Sequence, residues 1–227
     1  GYTQLMKANY KRLVKLPPNV PYQFGSTLCC AGITALHAVE SLGKVGLGDT
    51  VAVYGRGGVG MYNLQIAKLC GATTTISIGR TAEKLQLAQE KFGADATVNL
   101  TQEKLTDSIK RITGGKGVDA VFDFVVNNES VENSTKIIAN TGRLILVGIG
   151  SEPVTINPKR LTFKEATIVG SNVGSKHELQ TLVDLARAGK LKGVATTKYK
   201  LNEVNEVLMA LRAGKVLGRA YFDPFLK

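Results

Sequence analysis

A glycine-rich turn contains the residues whose spacing points most directly to chemistry. Gly55-Arg56-Gly57-Gly58-Val59-Gly60 follows a β-branched run and precedes a helix-like pattern. Gly55 suits a tight turn, Gly57 leaves room for a pyrophosphate against the backbone, and Gly60 permits close packing of the helix on the strand. The unpaired N–H groups at the helix start attract the two phosphates. The segment therefore predicts dinucleotide binding, with an ordinary glycine-rich turn as the alternative.

The end of the second predicted strand bears on which dinucleotide binds. NAD sites place an Asp or Glu about 20 residues beyond the glycines, where it accepts hydrogen bonds from the adenine ribose. Gly79 and Arg80 stand there instead, which leaves space and supplies a planar cation for a 2′-phosphate. We predict that NADP(H) is preferred over NAD(H). The alternative is that Arg80 points into solvent and the site accepts both coenzymes.

Strand-like and helix-like segments alternate along the middle of the chain, and these elements must position the turn. Amphipathic patterns predict helices that include residues 81–92, 104–113 and 130–139. Apolar and β-branched runs predict strands at residues 51–54, 73–78, 96–100, 118–126, 143–148 and 166–170. The pattern predicts an α/β fold: a Rossmann-type doubly wound parallel six-stranded sheet, which binds ligands at the carboxyl ends of its strands.

The flanking segments do not continue this alternation. Residues 1–26 contain several prolines and are predicted to form an extended lead-in, and the last fifty or so residues give only two helices and two strands. We expect a dinucleotide-binding domain over residues 28–172, with residues 1–27 and 173–227 belonging to a second lobe. Because the chain opens on Gly1 without an initiator Met, we also expect it to be part of a longer protein.

Composition restricts the function classes. The formal net charge of +11 is spread along the chain rather than gathered into basic runs with aromatics, which argues against nucleic-acid binding. No run approaches the ~18 consecutive apolar residues of a membrane span, so no membrane role is expected. Cys29, Cys30 and Cys70 are odd in number and the first two are adjacent, so we expect reduced thiols in a cytoplasmic protein.

Several further short motifs occur in a fixed order. They are residues 28–35, Gly93-Ala94-Asp95 with Val98-Asn99, residues 117–121 with Asp123, Gly142-Arg143 with Val147-Gly148, Gly170-Ser171 and Gly218-Arg219. With the glycine turn, they make the chain resemble the latter part of the medium-chain zinc-dependent alcohol dehydrogenase family, especially its archaeal and bacterial members. The resemblance runs from residue 1 to about residue 224. Family chains are roughly half again as long and begin with a GroES-like catalytic domain. The resemblance implies that this domain is largely missing, so we expect the 227 residues alone to be inactive.

The resemblance assigns catalytic roles to Cys30 and Thr34. The family's catalytic zinc is held by a Cys and a His near the start of the chain and by a third ligand that falls here on Cys30, whose thiolate suits zinc. Thr34 is placed near the nicotinamide. One cysteine cannot hold zinc alone, so Zn²⁺ is expected in the full-length enzyme and not tightly bound to this chain. Without the resemblance, Cys30 is a small hydrophobic core residue, and His37 and His177 are packed, capping or surface residues.

The same resemblance places coenzyme contacts at the ends of the later strands. Val125 and Val126 are expected to border the ribose, and Val147, Gly148 and Ile149 to face the nicotinamide. Ser171 and Asn172 follow the sixth strand, and Arg219 is expected to reach the pyrophosphate. For the valines, an ordinary role as apolar strand ends is an equal alternative.

The resemblance implies an NADP-preferring alcohol dehydrogenase that acts on a small alcohol, polyol or carbonyl compound. One alternative is a zinc-free quinone or enone reductase of the same superfamily, and another is a truncated, non-catalytic dinucleotide-binding module. The family also pairs the last strand of its nucleotide sheet, here Thr162–Gly170, across a two-fold axis. We therefore expect a homodimer or homotetramer.

Overall fold

The computed structural model describes residues 2–55, 57–149, 153–216 and 218–226. Its centre is a six-stranded parallel sheet with the strand order β3-β2-β1-β4-β5-β6, which confirms the predicted Rossmann-type fold. The strands are β1 (Thr50–Tyr54), β2 (Thr74–Gly79), β3 (Ala96–Asn99), β4 (Val118–Asp123), β5 (Ile138–Leu146) and β6 (Thr167–Gly170). A smaller parallel pair is formed by β7 (Thr196–Lys200) and β8 (Arg219–Asp223).

The α-helices of the described residues include those that cover both faces of the large sheet. They are α1 (Tyr22–Thr27), α2 (Ile33–Leu36), α3 (Gly58–Leu69), α4 (Ala82–Phe92), α5 (Leu105–Thr113), α6 (Asn128–Ile137), α7 (Pro158–Lys164), α8 (Lys176–Arg187) and α9 (Val204–Arg212). Widened π turns at Leu28–Gly32 and His37–Leu42 join α1 and α2 into one helical stretch over residues 22–42.

The central strand β1 divides the core into two apolar layers. Val51 and Val53 pack in a cluster with side chains of α3, α8 and the helical stretch at residues 22–42. Ala52 and Tyr54 belong to a second cluster with side chains of α5 and α6. Successive side chains of a strand point to opposite faces, so this division follows from two-sided burial of β1.

The sheet register brings the predicted site segments to one edge. The last residue of β1, Tyr54, is paired with Ile78 of β2 and with Asp123 of β4. All of these strands run in parallel, so the turns that follow them emerge side by side. The turn at Gly55 therefore lies between the turn after β2 and the turn after β4.

A buried carboxylate joins α8 to the helical stretch at residues 22–42. Glu178 is only 7% exposed. Its Oε1 lies 2.8 Å from Nδ1 of His37 and accepts a hydrogen bond from Oγ of Ser41 at 2.9 Å. Its Oε2 accepts a hydrogen bond from the backbone N–H of Ser175, the N-cap of α8, at 2.5 Å. His37 is thus packed against this carboxylate in a hydrogen bond, as one of the sequence-based alternatives has it.

Several predicted boundaries were wrong. The strand predicted over residues 118–126 ends at Asp123, because the side chain of Asp123 accepts the N–H groups of Val125 and Val126 and turns the chain. The helix predicted over residues 130–139 begins at Asn128, because Asn127 and Ser130 form a capping box, and it gives way to β5 at Ile138.

The predicted strand Thr162–Gly170 was also wrong in its first half. Residues Pro158–Lys164 form α7 because Pro158 is at the first turn and the Asn157 side chain caps the helix; only Thr167–Gly170 is strand. The extended lead-in predicted for residues 1–26 is likewise interrupted, since α1 begins at Tyr22.

The domain limits at residues 28–172 and 173–227 stay predictions. Within the described ranges, no helix has both the length and the apolar character that crossing a bilayer requires.

Candidate functional site

The glycine turn after β1 has the backbone geometry that a phosphate cradle requires. Gly55 adopts a φ of 106°, a left-handed conformation that favours glycine. Gly57 is the N-cap of α3, and a Cβ atom there would meet no atom within 4 Å. A Cβ atom on Gly60 would lie 2.3 Å from the carbonyl oxygen of Gly55. The turn is therefore open at Gly57 and closely packed at Gly60.

A cation from the distant end of the chain lies over the start of α3. A Cβ atom on Gly58, the first residue of the helix, would lie 2.6 Å from Nε of Arg219. Arg219 begins β8, and its backbone N–H donates to the carbonyl of Ala195 at 2.9 Å. The guanidinium therefore adds a full positive charge to the positive end of the helix dipole.

A groove of about 590 Å³ opens over this turn; we call it the glycine groove. One side is formed by ends of β1, β4 and β5, and the other by α9 and β8. Ten of the residues predicted from sequence line it: Thr34, Gly55, Gly57, Gly58, Val59, Gly60, Val125, Val147, Gly148 and Arg219. Segments far apart in the chain thus meet around one cavity.

Asp123 organises the two loops that border the groove on the sheet side. Its Oδ1 accepts the N–H groups of Val125 and Val126 at 2.8 and 2.9 Å, and Val126 has a φ of 51°. Its backbone carbonyl accepts the N–H groups of Val147 and Gly148 at 2.9 and 3.1 Å. The Asp123 side chain is fully buried, and this burial raises the pKa of its carboxyl group.

Arg80, the predicted phosphate-binding residue, is engaged by a carboxylate. Its Nη2 donates to Oε1 and Oε2 of Glu129 at 2.8 and 2.6 Å. Gly79 is the buried last residue of β2, so no side chain occupies the space before Arg80. Glu129 lies in the first turn of α6.

Other predicted site residues lie at the same sheet edge but outside the lining of the glycine groove. The side chain of Ile149 is 97% exposed. The backbone N–H of Ser171 donates to the carbonyl of Leu146 at 2.8 Å, and its buried Oγ has no hydrogen-bond partner among the described residues. Asn172 is exposed. Arg56 lies outside the described residues.

Cys30 lies apart from the glycine groove, in a neighbouring cavity of about 980 Å³. Its side chain is a free, exposed thiol, which contradicts its alternative reading as a core residue. Among the described residues, no three His, Cys, Asp or Glu side chains are grouped to hold a metal ion. A catalytic zinc site needs three protein ligands, so the described part of this chain does not provide one.

Sequence reasoning missed one wall of the groove and two carboxylates. Leu208 and Leu211 of α9 line the groove, and the only sequence signal was the apolar periodicity of that helix. Asp123 was named only as part of a family motif, inside the strand predicted over residues 118–126, and its hydrogen bonds to two loops were not predicted. Glu129 gave no signal, because its partner is 49 residues away.

Comparison with known protein families shows to which family this chain belongs. A family model described as zinc-binding dehydrogenase matches residues 58–188, which is more than half of the chain. The chain belongs to the zinc-binding dehydrogenase family. The matched span starts at Gly58, the first residue of α3, and therefore includes most of the sheet.

Individual relatives are consistent with the family assignment. An NAD-dependent alcohol dehydrogenase of Sulfurisphaera tokodaii is 31% identical over 216 residues, which are 95% of this chain and 62% of the relative. An alcohol dehydrogenase of Geobacillus stearothermophilus is 31% identical over 219 residues, which are 96% of this chain and 63% of the relative.

The crystal structure of the alcohol dehydrogenase from the archaeon Aeropyrum pernix matches with a TM-score of 0.89 and 34% identity, covering 99% of this chain and 65% of that one. The chain thus spans less than two thirds of the length of these relatives, and it corresponds to their C-terminal portion.

Proposed function

We propose that the chain is the coenzyme-binding part of an NADP-preferring medium-chain alcohol dehydrogenase, which interconverts a small alcohol or polyol and its carbonyl compound. The observation that carries the proposal is the position of Arg219 over Gly58 at the start of α3. There the helix N–H groups and the guanidinium meet around an open turn, a combination that suits a pyrophosphate.

In this proposal the glycine groove holds the coenzyme, which supplies the hydride donor or acceptor when bound. The open backbone at Gly57 admits the phosphates. The loops that Asp123 holds in place present backbone groups of Val147 and Gly148 near the nicotinamide end, opposite Thr34. Cys30 would be one of the three protein ligands that a catalytic zinc needs, and no second and third ligand are grouped beside it among the described residues.

The preference for NADP(H) is supported by Gly79 and Arg80. An acid at position 79 would repel a 2′-phosphate, whereas glycine leaves room and Arg80 supplies a permanent charge. The relative named above as NAD-dependent is 31% identical to this chain. Because coenzyme choice depends on the few side chains at the end of β2, a relative of this identity can differ in it. The three free cysteines support a reduced, cytoplasmic setting for the enzyme.

The experiment compares the dissociation constants of NADPH and NADH for the full chain and two variants. NADPH is expected to bind about tenfold more tightly than NADH, since its 2′-phosphate adds a charge-assisted contact with an exposed arginine. Arg80→Gln removes this difference by weakening only NADPH. Arg219→Gln weakens both coenzymes to a similar degree, because both contain the pyrophosphate.

Equal affinity for the two coenzymes, or tighter NADH binding, contradicts the NADP preference. Unchanged binding of both coenzymes to the Arg219→Gln variant contradicts the proposed position of the pyrophosphate. Circular dichroism of the two variants controls for folding.

We also propose that the protein assembles through β6 as a homodimer, or as a homotetramer made of two such dimers. This strand lies at the edge of the large sheet, and its Ile168 and Val169 side chains are half-buried. An edge strand of this kind offers backbone groups for pairing with a second copy.

A further inference from the structure

The ion pair between Arg80 and Glu129 crosses the sheet edge at one particular place. Arg80 follows β2, and Glu129 lies in the helix that follows β4. β2 and β4 are the two neighbours of β1 in the sheet. The pair therefore connects the two turns on either side of the carboxyl end of β1, next to the glycine turn.

Both partners of this pair are accessible from solvent. Their side chains are 62% and 51% exposed, and both carboxylate oxygens of Glu129 contact the same guanidinium nitrogen, Nη2 of Arg80, at 2.8 and 2.6 Å. A guanidinium binds a carboxylate and a phosphate through the same kind of charge-assisted N–H contact. Glu129 therefore occupies one terminal nitrogen of Arg80 and offsets the positive charge that would attract a 2′-phosphate. Because the pair is exposed, another anion can replace the carboxylate at small cost.

We infer that Glu129 is a specificity-determining residue, which competes with the 2′-phosphate of NADP(H) for Arg80 and thereby limits the preference over NAD(H). This inference rests on the proposed role of Arg80 in coenzyme choice. NAD(H) has a neutral hydroxyl group at the 2′ position, where NADP(H) has a phosphate. Its binding therefore does not require the ion pair between Arg80 and Glu129 to open.

A phosphate monoester carries a charge of about −1.5 to −2 at pH 7, so it takes the place of one carboxylate charge on Arg80 and gains from the exchange. By pairing with Arg80, Glu129 reduces the binding free energy of the 2′-phosphate by the free energy of one exposed ion pair. For pairs of this kind that amount corresponds to a factor of about two to five in a dissociation constant.

The test uses small probes that occupy only the adenosine end of the coenzyme. Adenosine 2′,5′-bisphosphate and 5′-AMP are titrated by calorimetry into the full chain and into the Glu129→Gln, Arg80→Gln and double variants. Glu132→Gln is the matched control: Glu132 lies on the same helix and is 56% exposed, and it pairs with Lys136 at 2.9 Å. It removes the same charge without touching Arg80.

The Glu129→Gln variant is expected to bind the bisphosphate about two- to fivefold more tightly, with 5′-AMP unchanged within about twofold. The control variant is expected to leave both probes unchanged. In the Arg80→Gln background, Glu129→Gln is expected to add nothing, because the competition needs Arg80.

No tightening in Glu129→Gln, equal tightening in Glu132→Gln, or tightening that persists without Arg80 overturns the inference. If Arg80→Gln weakens binding of the bisphosphate while Glu129→Gln has no effect, the proposed role of Glu129 is wrong and the proposed NADP preference is supported. If Arg80→Gln does not change binding of the bisphosphate either, both the role of Glu129 and the NADP preference through Arg80 are contradicted. Melting curves of each variant establish that the fold is retained.

Discussion

Gly57 and Gly60 belong to one turn, but an added methyl group has a different consequence at each. At Gly57 the methyl group meets no atom within 4 Å, whereas at Gly60 it meets the Gly55 carbonyl oxygen at 2.3 Å. Gly57→Ala is therefore expected to fold with a loss of at most about 1 kcal/mol, and to lose coenzyme affinity by about tenfold or more, because its Cβ enters the space of the pyrophosphate.

Gly60→Ala is expected to lose about 1–3 kcal/mol of folding stability, because helix and strand must move apart. Urea unfolding and NADPH titration of both variants measure the two effects. Coenzyme affinity that survives Gly57→Ala, or an unchanged unfolding midpoint in Gly60→Ala, contradicts this account of the turn.

At the residue scale, the sequence alone predicts groups whose function depends on their immediate neighbours. The glycines of residues 55–60 are of this kind, because the tight turn, the access of a pyrophosphate to the backbone and the packing of helix on strand all depend on a few consecutive residues. Asp123 and Glu129 are not. Asp123 acts by holding the loop after β5 as well as its own, and Glu129 acts on a side chain that follows a different strand.

At the element scale, α8 depends on a carboxylate with an unusually low pKa. Burial alone would raise the pKa of Glu178, but hydrogen bonds from Ser175, His37 and Ser41 outweigh it and lower the pKa to about 2. A carboxylate whose pKa is depressed by folding stabilises the protein above its unfolded-state pKa. That contribution is lost as the pH falls from about 4.5 toward about 2.

The expected result is that Glu178→Gln lowers the free energy of unfolding at pH 7 and makes it less dependent on pH below about 5. Urea unfolding at several pH values measures this slope. Asp184→Asn is the control, because Asp184 is an exposed carboxylate on the same helix. An identical pH slope in wild type and Glu178→Gln would show that the carboxylate does not stabilise α8 in this way.

The elements themselves were largely predictable, because buried strands and amphipathic helices differ in the period of their apolar residues. The residues at which these strands and helices begin and end were less predictable. Thr162 and Phe163 have the β-branched and aromatic character of a strand, yet they lie in α7, which ends at Lys164. There Lys164 donates to the carbonyls of Thr135 and Lys136 in the last turn of α6 and to that of Ile138, the first residue of β5. A distant contact of this kind has no local sequence signal.

At the scale of the whole molecule, the proposed dimer depends on the edge strand β6. Thr167 is exposed on this strand, so Thr167→Lys places a charge on the edge without disturbing the core. Wild type is expected to sediment as a dimer or tetramer at micromolar concentration, and the variant to shift toward monomer. The control is Thr101→Lys, an exposed position on the turn after β3. A strictly monomeric wild type contradicts the proposal.

The large sheet was predictable from the alternation of strands and helices, but the second wall of the glycine groove was not. That wall comes from α9 and β8, which follow the last strand of the sheet; apart from Arg219, their residues were assigned only to a second lobe. Their position depends on how two distant parts of the chain pack, which periodicity does not encode.

The central location of β1 has a consequence for the energetics of binding. Val51, Ala52 and Val53 are fully buried, and the strand is bonded to β2 on one side and to β4 on the other. The glycine turn is thus attached to the part of the framework that opens last in local unfolding. A ligand that docks there need not first immobilise a fluctuating segment, so little of its contact free energy is consumed by ordering the receptor.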